Sequence, residues 1–277
     1  MSSHLFVTPL EDRALIKLIG PDWRGFLQGL VTQDVETLAA GEARFGAMLT
    51  PQGRLLYDLF LVGQEDGCLI DCHAQVRDAL VQRLTIYRLR AKVEIALLDS
   101  PVLALWGGPA WGGPAPAGWV ADPRLPALGF RGYGVPAPAD AALADEAAYA
   151  RHALDLGVPG PADWGSDKTY PIEANFDLLN GIDFKKGCFV GQETTSRMKR
   201  RGAVKTRMLP ITFDGPAPNA GSEVLNGTLR AGEVLSGSAG RAMAAVRLDR
   251  LEGDLALADG RRSRPDWPAW LKAAVDG

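Results

Sequence analysis

No run in this sequence approaches ~20 consecutive apolar residues, the length a membrane-spanning helix needs. The first residues, MSSHLFVTPLEDRALIKLIG, lack a basic stretch leading into an apolar one. Both absences argue against membrane insertion and secretion. Cysteine is scarce and odd in number, three in 277 residues. That excludes a disulfide framework and makes a reducing location, the cytoplasm, the expectation. There is no long internal repeat; WGGPA occurs twice in tandem, too short a unit for a solenoid. Neither sign of charge dominates. A net charge of −3, with 47% hydrophobic and 23% charged residues, describes an ordinary globular chain, and its length suits two or three domains.

The charge is unevenly spread. Residues 185–207 hold eight basic residues (Lys185, Lys186, Arg197, Lys199, Arg200, Arg201, Lys205, Arg207) and one acidic, Glu193, giving +7 against −10 for the remainder. A confined basic window on an acidic chain points to an anionic ligand or partner rather than to nucleic acid.

Periodicity predicts the elements. RALIKLIG (13–20) alternates as a half-buried strand, and Pro21 and Asp22 open a helix marked by Trp23, Phe26, Leu27 and Leu30. ARFGAMLT (43–50), RLLYDLFLVG (54–63) and GCLIDCHA (67–74) read as an antiparallel meander. QVRDALVQRLTIYRL (75–89) is an amphipathic helix packed on it, and AKVEIALLD (91–99) a further strand. This order predicts an α+β layer. The Gly-, Pro- and Trp-rich stretch 106–138 is expected to be irregular, and the Ala-rich 139–157 helical, ended by Gly157 and Pro159. QETTSRMKRR predicts a helix closed by Gly202. From 204 on, short β-like runs punctuated by Gly, Asn and Pro predict a small barrel, followed by a terminal helix.

Among groups that carry chemistry, Cys68 and Cys72 are four apart in a strand and share a face with Ile70, which fits small core residues. With His73 they lack the spacing and facing of a metal site, so no metal is expected there. Cys188 differs. Gly187 and Gly191 bracket it, and it precedes a helix N-terminus amid cations, which together favour a thiolate. Asp58 and Glu173 sit among apolar residues, where a buried carboxylate needs a donor or a ligand.

The stretch KGCFVGQE, continuing to Arg197 and Gly202, resembles the signature of the YgfZ-type folate-binding proteins, relatives of the glycine cleavage T-protein (aminomethyltransferase). FLQGLVTQDV, LTPQGRLLYDLFLV, RLRAKVEI and YPIEANFDLLNGIDFKKGC extend the resemblance over most of the chain up to 202. It implies a three-domain, ring-like α+β architecture around a central hole. The parts would be a discontinuous folate-binding domain (1–47 and 137–203), a ferredoxin-like α+β domain (48–136) and a C-terminal β-barrel (204–277). It implies bound tetrahydrofolate, or a one-carbon-substituted or polyglutamylated form, held by Asp58, Glu173, Gln192 and Arg197, with the glutamyl tail on the basic window. It implies a signature motif of Lys186, Gly187, Cys188, Gly191, Gln192, Glu193, Arg197 and Gly202. It also implies service to iron–sulfur proteins, including radical enzymes that modify transfer RNA. Where T-proteins usually lack a cysteine this chain has Cys188, which points away from aminomethyl transfer and toward thiol chemistry. Three rivals stay open: a folate-dependent aminomethyl- or methyltransferase, an RNA-binding module on 197–207, and a thiol redox protein.

Overall fold

The computed structural model describes residues 4–107, 115–202 and 204–275. It divides into two compact units. One comprises the residues up to Gln52, Leu56–Tyr149 and Leu179–Gln192; the other comprises Gly53–Leu55, Ala150–Leu178 and the residues from Glu193 on. Among the described residues, no helix is long and apolar enough to cross a membrane.

The first unit is built on two five-stranded sheets. In chain order its elements are β1 (Leu5–Pro9), β2 (Arg13–Ile19), α1 (Trp23–Gln28), β3 (Ala43–Leu49), β4 (Leu55–Gly63), β5 (Gly67–His73), α2 (Arg77–Arg88), β6 (Glu94–Leu98), β7 (Val102–Gly107), β8 (Trp119–Ala121), β9 (Phe130–Tyr133) and β10 (Ala142–Leu143). One sheet runs β3-β4-β5-β2-β6 and the other β10-β1-β7-β9-β8. Side chains on a strand alternate between faces, and here both faces of the first sheet are covered. Ile16, Leu18, Tyr57, Leu59, Leu61, Cys68, Ile70 and Cys72 pack with Trp23 and Leu27 of α1 and Leu80 and Leu84 of α2. Leu15, Val62 and Leu69, on the opposite face, pack with Val102, Ala104 and Trp106 of the second sheet. This double coverage explains why LLYDLFLV is apolar at nearly every position.

The interface between the sheets also contains charge. Arg13 donates to Asp71 Oδ1 (2.6 Å) and Asp58 Oδ2 (2.8 Å), and Arg131 donates to Asp71 Oδ2 (2.7 Å). Tyr133 donates its hydroxyl to the same oxygen at 3.2 Å. Arg131 reaches on to Asp122 (3.6 Å), whose carboxylate is bound by Arg124 at 2.7 Å. The Phe60 ring lies under Arg131 (3.8 Å), Arg124 (4.9 Å) and Arg13 (5.4 Å). Three guanidiniums thus balance three carboxylates on an aromatic floor. Burial pushes the Asp71 carboxyl up, but Arg13 and Arg131 outweigh it and hold the group below the usual carboxylate range.

In the second unit come α3 (Glu146–Asp155, entered from the first), α4 (Pro161–Trp164), α5 (Gln192–Arg201), β11 (Thr206–Phe213), β12 (Glu223–Asn226), β13 (Leu229–Ser238), β14 (Arg241–Arg247), β15 (Leu255–Leu257), β16 (Arg262–Pro265) and α6 (Ala269–Val275). The six strands close into a barrel in the order β11-β14-β13-β12-β15-β16. Its core includes Leu209, Ile211, Val224, Val234, Ala244 and Leu257, plugged by Leu271 of α6. Two register shifts, at Val224/Leu225 and Val234/Ser236, provide the bends a small barrel needs.

The structure departs from periodicity in two places. Part of 106–138 is regular: Trp119–Ala121 and Phe130–Tyr133 are strands paired through Gly132↔Trp119 and Gly132↔Leu103. Strands of three or four residues are too short to show a period, and Gly132 is required because a Cβ there would lie 3.0 Å from the Trp119 ring. The WGGPA repeat falls largely outside the described residues. The helix expected over 139–157 begins only at Glu146, because Ala142–Leu143 pairs parallel to β1 and sheet pairing overrides alanine propensity. Its expected end holds: Gly157 has φ +73°.

Asp71→Ala leaves two buried guanidiniums without their shared carboxylate. The expected loss is about 3–5 kcal/mol in urea unfolding. Because the folded-state pKa of Asp71 lies below its unfolded value, its contribution is present above the unfolded pKa and is lost as pH falls through the folded one. The wild-type protein should therefore lose stability on acidification more steeply than Asp71→Asn, measured by urea midpoints across the acid range.

Candidate functional site

Cys188 sits in a turn of the first unit that is laced onto the segment after α1. Gln33 Nε2 donates to the Asn180 carbonyl (2.7 Å) and Thr32 Oγ1 to that of Gly181 (2.6 Å). The Asp183 amide donates to Thr32 O (3.0 Å) and the Val190 amide to Gly29 O (3.1 Å). Asp183 Oδ1 accepts from the Lys185 and Lys186 amides at 2.7 and 3.2 Å, which folds the chain tightly ahead of Gly187. Val190 packs on the apolar cluster that holds α1 and α2. Gln192 Oε1 accepts from the Phe189 amide at 3.2 Å, and Gly191 has φ +81°, a conformation that favours glycine.

The Lys186 ammonium is turned inward. It donates to the carbonyls of Gln28 (2.7 Å), Val31 (2.6 Å) and Gln33 (2.7 Å), and lies 5.3 Å from the Phe189 ring centroid. Burial pulls its pKa down, to about 8, against the opposing pull of Asp34, Asp183 and Glu36. Cys188 itself is exposed, and Gly187 beside it has open space where a Cβ would be. Cys68 and Cys72 are buried, and burial pushes both thiols up to about 12. They are the core residues the sequence indicated.

Asp58 belongs to the ion network between the sheets, 5% exposed, with Oδ2 committed to Arg13. A ligand expected at Asp58 would have to compete with a buried guanidinium. Nothing local in RLLYDLFLV reveals that partner: Arg13, Asp71 and Arg131 lie on other strands.

Glu173 lies in the second unit, half-buried. Its Oε2 accepts from the Tyr170 amide (3.0 Å), and its carbonyl accepts from the Met208 amide (2.8 Å). Burial pushes the carboxyl up, while the Tyr170 amide and Arg54 pull the other way. Arg54 stacks on the Tyr170 ring at 4.8 Å. The segment carrying Glu173 is strapped to β11 by Arg207, which donates to Ile172 O (2.9 Å), Asn175 Oδ1 (3.0 Å) and both oxygens of Asp177 (3.0 Å each).

Two members of the basic window are therefore internal. Lys186 is spent on carbonyls, and Arg207, 6% exposed, on Asp177. Lys185, Arg197, Arg200, Arg201 and Lys205 are exposed; Lys199, also exposed, approaches Asp177 at 3.9 Å. Glu193 and Arg197 lie exposed on α5, and Gly202 closes that helix at φ +62°.

Iodoacetamide on the native protein should modify one thiol rapidly, mapped to Cys188 by peptide mass, with Cys68 and Cys72 reacting only after denaturation. Early labelling of either buried cysteine would contradict their placement.

Residues 205–273 match the family described as CAF17, C-terminal beta-barrel domain. The chain is 32% identical over 242 residues to the human mitochondrial iron–sulfur cluster assembly factor IBA57, covering 76% of this chain and 67% of that protein. It is 35% identical over 243 residues to the IBA57 homolog of Neurospora crassa, covering 76% of this chain and 55% of that one. The chain thus spans little more than half the length of that fungal relative. In three dimensions it resembles the glycine cleavage system aminomethyltransferase T of Bartonella henselae, with a TM-score of 0.77 over 96% of this chain and 86% of that one. At 17% identity that likeness is one of fold, and it agrees with the T-protein-like architecture and barrel expected from the signature. The signature resembles the YgfZ type, whereas the relatives found are named IBA57 iron–sulfur cluster assembly factors. By its identity with the human protein and its coverage of it, this chain belongs to the IBA57 family.

Proposed function

We propose that this chain supports iron–sulfur cluster assembly, with Cys188 as the thiol that meets the cluster. One observation carries this reading: Cys188 is the exposed thiol, on a braced turn, while Cys68 and Cys72 are buried with their thiols pushed up. The names of the relatives, iron–sulfur cluster assembly factors, support it. An iron–sulfur cluster takes four protein ligands, usually thiolates. Among the described residues no group of three or more His, Cys, Asp or Glu is placed to hold a metal ion. A cluster cargo would therefore meet a single thiol here and keep its remaining ligands on a carrier or client protein. The exchange is balanced without redox change: Cys188 gives up its proton and binds iron, and the displaced ligand takes up a proton. Three unpaired cysteines suit a reducing compartment; the relatives are mitochondrial by name, and the cytoplasm and the mitochondrial matrix both meet that requirement. Radical enzymes that modify transfer RNA are the client class the signature suggests.

We infer reduced folate as a cofactor of the second unit, on the strength of Glu173. With Oε2 fixed by the Tyr170 amide, Oε1 has no hydrogen-bond partner among the described residues. The donor row of a reduced pterin suits such an acceptor. When bound, the folate supplies a reduced ring and one-carbon-carrying nitrogens. Arg207 and Asp177 hold the Glu173 segment against the barrel, and the Arg54 charge beside Tyr170 favours the ionised carboxylate.

Cys188→Ser should leave the thermal midpoint nearly unchanged, since surface substitutions usually stay within ~0.5 kcal/mol. Its ability to restore iron–sulfur enzyme activity in cells lacking the protein should fall to that of an empty vector. Full restoration would remove Cys188 from the mechanism. In titration calorimetry with tetrahydrofolate, Glu173→Gln should bind more weakly by about 1.5–3 kcal/mol, roughly ten- to a hundredfold. An unchanged affinity in a folded variant would exclude Glu173 as the pterin acceptor.

A further inference from the structure

We infer that Lys186 is a positioning residue that holds the Cys188 turn in place by filling a cage of three backbone carbonyls. This rests on the reading of Cys188 as the working thiol. A lysine ammonium has three donors and no acceptor. The carbonyls of Gln28, Val31 and Gln33 take all three, at 2.6–2.7 Å. No proton is left over for a thiolate, so Lys186 acts on Cys188 through backbone geometry and not by a hydrogen bond to sulfur.

The cage exists because of how α1 ends. Gln28 is the last residue of that helix, and helix ends leave carbonyls without intrahelical partners. The chain then bends through Gly29–Gln33 and aims two further carbonyls at the same point. Three converging carbonyl oxygens repel one another unless a cation sits among them. No carboxylate forms an ion pair with Lys186 among the described residues, so the carbonyls are its immediate partners. Around the ammonium, the Asp183 amide on Thr32, the Val190 amide on Gly29 and the Thr32 hydroxyl on Gly181 close the rest of the junction. Lys186 supplies the junction's ammonium, and Cys188 follows two residues later with its side chain exposed. Burial lowers the affinity of Lys186 for its proton, so the site is costly as a stabilising device; what it secures is one conformation for two loops at once.

The test uses the full chain with Lys186→Met, which keeps the methylene stem, and Lys186→Ala, which opens room for an added amine. Hydrogen exchange should rise at least tenfold at the Asp183 and Val190 amides in both variants, while barrel amides keep their protection. Ethylammonium chloride should restore protection in Lys186→Ala but not in Lys186→Met, and sodium chloride at equal ionic strength should restore neither. The pH dependence of Cys188 alkylation should match wild type, while cluster-dependent client activity falls with the loss of protection. Unchanged exchange at Asp183 and Val190 would overturn the proposal. So would an altered pH dependence of alkylation with exchange intact, which would mean an electrostatic role, or a globally unfolded Lys186→Ala that ethylammonium does not rescue. The two readings fail separately: full client activity from Cys188→Ser sinks the functional reading and leaves the exchange result standing.

Discussion

The first unit depends on one carboxylate held between two guanidiniums. Asp71, at 0% exposure on the central strand of its sheet, joins Arg13 on the neighbouring strand to Arg131 on the facing sheet. Apolar packing alone would let two sheets slide, since dispersion and hydrophobic burial have little direction. A buried ion pair has direction, because either partner alone is a desolvated charge. Phe60 beneath all three arginines excludes water and gives the guanidiniums a face to stack on. The network trades some stability for a single alignment of the sheets, and β2, the strand that leads into α1, carries Arg13 of that network.

The same solution recurs where the chemistry is expected. Lys186 fills a carbonyl cage below Cys188, and Arg207 ties the Glu173 segment to the barrel through Asp177 and Asn175. In each case an inward-turned cation holds a segment of chain rather than a ligand. The group expected to act is then a neighbour of that cation in sequence or in space: the exposed Cys188 thiol in the first unit, the half-buried Glu173 carboxylate in the second. Sites built this way place a reactive group on irregular backbone without leaving that backbone free to move.

This division of labour changes how the basic window reads. As sequence it is one run of positive charge; as structure it is two populations. Lys186 and Arg207 are internal struts, while Lys185, Arg197, Arg200, Arg201 and Lys205 face solvent and remain available to an anionic partner. Charge counting cannot separate them, because a lysine looks the same in a carbonyl cage and in water.

Local pattern by itself determined the strands of the central sheet, the leucine stripe of α2, the helix from Gln192 to its stop at Gly202, the presence of a small C-terminal barrel and the core placement of Cys68 and Cys72. Each of these depends on spacings of two to four residues, which sequence displays directly. KGCFVGQE likewise marked the turn that carries the exposed cysteine. Tertiary structure alone decided the second sheet's short strands, where pairing across β7 sets conformation for segments too brief to show a period. It alone decided that Asp58 is bound by Arg13, 45 residues away, and that Lys186 reaches Gln28, 158 residues away. Those choices were not legible because an ionisable side chain takes whichever opposite charge or carbonyl the fold brings to it, and no local rule names a partner that distant in the chain.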